Sequence, residues 1–190
     1  LAMLGDKTYY YDYSDKKLRT VDSKSGKLRS ALEDAGTYTN GKYIYVNSWD
    51  ALRQYDADGK LVVERKLDAD KRILQAFLGE KYIYIICGAN EGDSYQQTLY
   101  VLDAADVRKT VDLGELKEKS GKGAFIDKDK HWAEHRKITT PDVNLYYIGS
   151  CQREKVKDGE VSYSLTIKDA SKGYFFNPVM VNKQTGERVH

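Results

Sequence analysis

The stretch Asn40-Gly41-Lys42-Tyr43-Ile44-Tyr45-Val46, followed by Leu52-Arg53-Gln54-Tyr55-Asp56 and then by Asp58-Gly59-Lys60-Leu61, decides how this chain folds. In an extended segment Tyr43 and Tyr45 fall on one side, and Ile44 and Val46 on the other. Both sides are apolar, which suits a sheet covered on both faces. Asn40-Gly41 and Asp58-Gly59 are hairpin signals, because glycine supplies the positive φ that tight turns need. Four short strands result, at about 36–40, 42–47, 52–56 and 60–67.

The phrase recurs along the chain. Gly5-Asp6-Lys7-Thr8-Tyr9-Tyr10-Tyr11 leads to Leu18-Arg19-Thr20-Val21-Asp22 and Ser25-Gly26-Lys27-Leu28. Gly79-Glu80-Lys81-Tyr82-Ile83-Tyr84-Ile85 leads to Leu99-Tyr100-Val101-Leu102-Asp103, with strands expected at about 73–78, 81–87, 98–103 and 109–113. A looser copy runs Asn144-Leu145-Tyr146-Tyr147-Ile148 and ends in Val181-Asn182 and Thr185-Gly186-Glu187. Aligned on Lys7, Lys42 and Lys81, the period is 35 and then 39 residues. An antiparallel four-stranded unit of that length is a propeller blade. The expected fold is therefore all-β: a β-propeller of four-stranded antiparallel blades, about four in this chain. A single domain covers 1–190, with blades near 1–33, 34–68, 70–113 and 138–190 and an insertion at 114–137. Such a ring either closes by itself or belongs to a larger ring completed by missing sequence or by a second copy.

The repeat resembles that of the quinoprotein-like (PQQ-type repeat) β-propellers. The residues that carry the resemblance are Asp22, Ser25, Gly26 and Lys27, then Asp56, Gly59 and Lys60, and finally Thr185 and Gly186. That family includes quinone-cofactor dehydrogenases, surface-layer propellers and outer-membrane assembly lipoproteins. The resemblance implies an architecture, because the repeat serves many unrelated functions. Its docking tryptophan, four residues after the glycine, is replaced here by Ser30, Val63 and His190. No adjacent-cysteine pair of the kind found at the quinone occurs either. The chain reads as a divergent, noncatalytic member with no cofactor, and the family's settings point to an extracytoplasmic or cell-surface location.

Bulk composition excludes several classes. The net charge is +2, from 31 basic and 29 acidic residues, which gives no electrostatic case for nucleic acid. No apolar run approaches the ~20 residues of a membrane helix. Sixteen tyrosines against two prolines favour strands over disorder. Two cysteines, Cys87 and Cys151, cannot build a disulfide framework; they either bridge neighbouring repeats or remain buried thiols.

Chemistry is sparse. His131-Trp132-Ala133-Glu134-His135 matches the H-x-x-E-H string of inverted zinc peptidases, in which two histidines four apart on a helix hold zinc and the glutamate activates water. His131, Glu134 and His135 are thus the candidate metal ligands, although the flanking sequence is charged and lacks a helical pattern. Asp56-Ala57-Asp58-Gly59 looks like a calcium-loop fragment without the distal glutamate, and reads as turn chemistry. Long segments fall at 88–97, 114–137 and 152–173, the last with its own hairpin strand at 161–167. Second-to-third and unit-to-unit connections leave an up-and-down unit at the same end, so these insertions decorate one face. Trp49, Tyr95 and Trp132 lie in such connections and are the candidate binding residues. The function expected is a noncatalytic binding module that recognises a protein, peptide or glycan through this face. The alternative is an enzyme, a metal-dependent hydrolase or a divergent quinoprotein-type oxidoreductase, with its site in the same loops.

Overall fold

The computed structural model describes residues 2–21, 36–48, 50–68, 70–89, 96–122, 134–147, 149–155, 158–167 and 178–189. These residues form strands and turns, with no helix among them. In chain order the strands are β1 (Ala2–Leu4), β2 (Lys7–Asp12), β3 (Lys17–Val21), β4 (Gly36–Thr39), β5 (Ile44–Asn47), β6 (Ala51–Tyr55), β7 (Leu61–Lys66) and β8 (Lys71–Leu78). They continue as β9 (Tyr82–Ala89), β10 (Gln96–Asp103), β11 (Asp106–Thr110), β12 (Glu118–Lys122), β13 (Glu134–Thr139), β14 (Val143–Tyr147), β15 (Gly149–Lys155), β16 (Val161–Ile167) and β17 (Val179–Asn182). The four strands expected in each of the second and third repeats are all present, within a few residues.

Four antiparallel sheets result. The first is β1-β2-β3 and the second β4-β5-β6-β7. The third runs β8-β9-β10, and the outer edge of β10 is then shared. β11 pairs near its end, at Leu102 and Asp103, while β16 pairs along Gln96 to Leu99 and carries β15 outside it. The fourth sheet is β12-β13-β14-β17, with a final bridge between Val181 and Arg188. The segment 114–137 thus supplies β12 and the start of β13, and the hairpin expected within 152–173 widens the third sheet.

Local turn chemistry explains the repeat. In the first three sheets the first-to-second connection is a two-residue turn: Gly5-Asp6 between the paired Leu4 and Lys7, Gly41-Lys42 between Asn40 and Tyr43, Glu80-Lys81 between Gly79 and Tyr82. Gly5 and Gly41 have φ of 62° and 84°, a conformation that disfavours any side chain. In the second and third sheets an aspartate at the end of the third strand folds the next turn. Asp56 Oδ1 accepts from the N–H groups of Asp58 and Lys60 at 2.9 Å, and Asp103 Oδ1 from Ala105 N–H at 2.8 Å. These turns correct the lysine alignment by one residue in the first repeat. Asp6, not Lys7, occupies the place of Lys42 and Lys81, so Tyr9 is the counterpart of Tyr45 and Tyr84.

The sheets stack in chain order, and a core fills each interface. Tyr9 and Tyr11 of the first sheet meet Ile44, Val46 and Tyr55 of the second. Tyr45, Leu52 and Val63 meet Ile83, Ile85, Cys87, Leu102 and Val107 of the third. Tyr84, Ile86, Leu99, Val101 and Tyr163 meet Ile138, Val143, Leu145 and Met180 of the fourth. Strand alternation does the sorting: on β5 Ile44 and Val46 face backward and Tyr45 forward, and on β9 Ile83 and Ile85 face backward and Tyr84 forward. The two-sided apolar pattern of the sequence is therefore that of inner sheets.

Polar contacts also fasten the stack. Tyr9 Oη donates to the Ala57 carbonyl at 2.6 Å, and Tyr45 Oη donates to the carbonyl of Ala104, the equivalent residue one sheet on. Tyr84 Oη donates to Asp142 Oδ2 at 2.9 Å. Two glutamine amides, Gln54 buried and Gln75 half-buried, act in parallel. Gln54 Nε2 donates to Ala105 O at 3.0 Å while its Oε1 accepts from Val107 N–H at 3.3 Å. Gln75 Nε2 donates to Pro178 O at 2.6 Å while its Oε1 accepts from Met180 N–H at 3.4 Å.

Candidate functional site

Antiparallel order and the equivalence of the turns define two ends of the stack. The tight turns at 5–6, 41–42, 80–81 and 57–59 share one end, and the tyrosine contacts to Ala57, Ala104 and Asp142 bring those ends together. The strands flanking 48–50, 90–95 and 123–133 reverse at the other end, as do those joined by 67–70. Trp49, Tyr95 and Trp132 belong to these connections and themselves lie outside the described residues, as does His131.

Glu134 and His135 open β13, their backbones opposite Lys122 and Gly121. Their extended backbone does not provide the helical i, i+4 spacing that the zinc string requires. Among the described residues no group of three or more His, Cys, Asp and Glu side chains is arranged to hold a metal.

At this end the β15–β16 hairpin is held by two carboxylates. Asp112 makes a two-pronged ion pair with Arg153, with Nε to Oδ1 at 2.8 Å. The hydrogen bonds from Arg153, followed by the Gly114 N–H, hold its pKa down at about 2. Glu118 joins the third and fourth sheets: Oε1 accepts from Tyr147 Oη at 2.6 Å and Cys151 N–H at 3.2 Å, and Oε2 from Arg136 at 2.5 Å. Burial acts to raise the Glu118 pKa, and these three hydrogen bonds outweigh it, leaving the carboxyl below its ordinary value.

Neither thiol is activated. Both cysteines are free; burial pushes Cys87 up to about 12, and burial with the nearby Glu118 and Glu115 pushes Cys151 up to about 12. A hollow of about 240 Å³ between the second and third sheets has Tyr100 as its floor, with the Arg65 guanidinium 5.3 Å and the Lys71 ammonium 5.9 Å from the ring centre. Its four cations are already matched: Arg65 by Glu160 at 2.9 Å, Lys66 by Glu64 at 3.7 Å, Lys71 by Asp68 at 3.0 Å, Arg108 by Asp106 at 2.9 Å. It is a charge-balanced seam rather than an anion trap.

A concavity of about 550 Å³ lies at the tight-turn end. There the first strands β1, β4 and β8 meet the terminal segment around Arg188 and Val189. Sequence reasoning did not single out its residues, since Met3, Thr37 and Phe77 are ordinary strand residues whose only distinction is membership of edge strands. No family model, no curated protein and no solved structure matches this chain.

Proposed function

We propose that this chain is a noncatalytic binding module of β-propeller type, related to the quinoprotein-like repeat, which recognises a protein, peptide or glycan through the end that carries its long connections. The four sheets are its blades, in a ring that either closes by itself or is completed by missing sequence or by a second copy. The observation that carries the reading is the grouping of the reversals flanking 48–50, 90–95 and 123–133 at one end of a stack fastened by repeated tyrosine and glutamine contacts. A rigid scaffold with its connections gathered at one end is where binding loops usually sit. Aromatic residues in such loops bury much area for little lost freedom, which suits Trp49, Tyr95 and Trp132 to the task.

Peptide and glycan arrays probed with the whole chain, then with a variant in which 90–95 is replaced by two glycines, test this. Binding should fall with the shortened loop while the unfolding midpoint stays within a few degrees. Array binding that survives both this change and Trp132→Ala would overturn the proposal.

A further inference from the structure

We infer that Asn40 is a site of spontaneous deamidation whose rate is set by the contact between the second and third sheets, and whose product weakens that contact. Asn40-Gly41 is the one Asn-Gly step in the sequence. In such a step the Gly41 backbone nitrogen, losing its proton to hydroxide, bonds to Asn40 Cγ; the Cγ–Nδ2 bond breaks and ammonia leaves. Water then opens the resulting cyclic imide to aspartate, or to its isomer in which the main chain runs through the side-chain carbonyl. Glycine permits this ring closure best, since it has no side chain to obstruct it. Gly41 and Lys42 are exposed, and a β-carbon on Gly41 would meet nothing within 4 Å, so solvent reaches the attacking nitrogen.

In the folded chain these groups are engaged. Asn40 Oδ1 accepts from the N–H groups of Lys42 at 3.0 Å and Tyr43 at 2.8 Å, and Nδ2 donates to Tyr45 Oη at 3.0 Å. The Gly41 N–H donates to Thr39 Oγ1 at 3.1 Å. Cyclisation needs the amide free to turn and the Gly41 nitrogen free to lose its proton, so these bonds oppose it. The hydroxyl that holds Nδ2 is itself held across the interface, where it donates to the Ala104 carbonyl. Release of Tyr45 from the third sheet therefore releases Asn40. The product acts back on the same bond. An aspartate has no Nδ2 proton to give, which leaves its carboxylate and the Ala104 carbonyl competing for the one Tyr45 proton. Burial pushes the Tyr45 pKa up, so that proton is not lost to solvent. The isomer also lengthens by one backbone carbon the tight turn in which Gly41 has a φ of 84°.

The test follows Asn40 by peptide-mapping mass spectrometry, in the folded chain and in guanidinium chloride, at one mildly alkaline pH. Conversion should be at least about tenfold slower in the folded chain, the worth of two of these hydrogen bonds. Thr39→Val frees the Gly41 N–H and Tyr45→Phe frees Nδ2; each should speed conversion in the folded chain about three- to tenfold, the worth of one. Tyr84→Phe removes the corresponding hydroxyl one interface on, without touching Asn40, and should leave the rate unchanged. Asn40→Asp, the product made directly, should unfold at lower denaturant, and this loss should vanish in the Tyr45→Phe chain. A folded-chain rate equal to that in guanidinium chloride, an acceleration by Tyr84→Phe as large as that by Tyr45→Phe, or an Asn40→Asp chain as stable as its parent would each overturn the inference.

Discussion

Tyr45 and Tyr84 stand at the same position of successive repeats, 1% and 0% exposed, each with its ring in one inter-sheet core and its hydroxyl on the next sheet. Truncating either to Ala should cost about 3–5 kcal/mol in denaturant unfolding, as for large aromatics deleted from cores. Tyr45→Phe separates the two contributions: it keeps the ring and strips the Ala104 carbonyl of its donor, at a cost of about 1–2 kcal/mol. A loss below about 1 kcal/mol in both Ala variants would mean these rings are not packed as described. Gly79 sets a second constraint at the same interface. A β-carbon there would stand 2.7 Å from Asp142 Oδ2 and 3.0 Å from the Tyr82 carbonyl, so Gly79→Ala must push away the carboxylate that Tyr84 uses. We expect it to destabilise by about 1–3 kcal/mol, more than a surface alanine would. Of these residues the tyrosines were legible in the sequence, because alternation and repetition mark them. Gly79 and the glutamines were not: Gln54 and Gln75 look like solvent residues until their partners, 51 to 105 positions away, arrive opposite them.

Among the elements, the β15–β16 hairpin is the one whose place the sequence concealed. Its existence shows in the alternation of 161–167, but its partner depends on an edge that β11 leaves open along Gln96–Leu99, a consequence of where β11 ends. The conserved geometry of a repeat predicts contacts within a unit well and contacts of an insertion poorly, since no second copy of the insertion exists to align. The aromatic and histidine candidates are likewise marked only by residue type and loop membership, and neither property fixes a mutual geometry. Asp112 gives the hairpin a pH dependence. Its pKa falls from 3.8 to about 2 beside Arg153, so the folded form binds the proton less tightly than the unfolded chain. The contribution is complete above about pH 4 and is lost as pH falls toward 2. Amide exchange in β15 should therefore quicken, relative to β9, across that interval, and Asp112→Asn should remove the pH dependence of the difference. A β15 protection that stays flat from pH 5 to pH 2 in the unsubstituted chain would sink the assignment.

At the scale of the whole molecule, the stack is asymmetric. The second and third sheets are covered on both faces, whereas the first buries Tyr9 and Tyr11 against the second and leaves Thr8, Tyr10 and Asp12 partly open on its other face. Local opening follows buried contact density, so stability should be graded along the stack. Hydrogen exchange of the chain by itself should be slowest in β9, with Ile83, Ile85 and Ile86 each at most 2% exposed, and measurably faster in β2. This gradient bears directly on ring completion. In a propeller every blade is flanked on both faces, so on the reading proposed above, closure of a ring by a partner would cover the face of Thr8 and Tyr10 and slow β2 toward the rate of β9. Adding the completing partner, or raising concentration if that partner is a second copy, should produce this slowing while leaving β9 unchanged. If β2 already exchanges as slowly as β9 in the dilute chain, its second face is covered without any partner, and the first sheet closes onto the fourth.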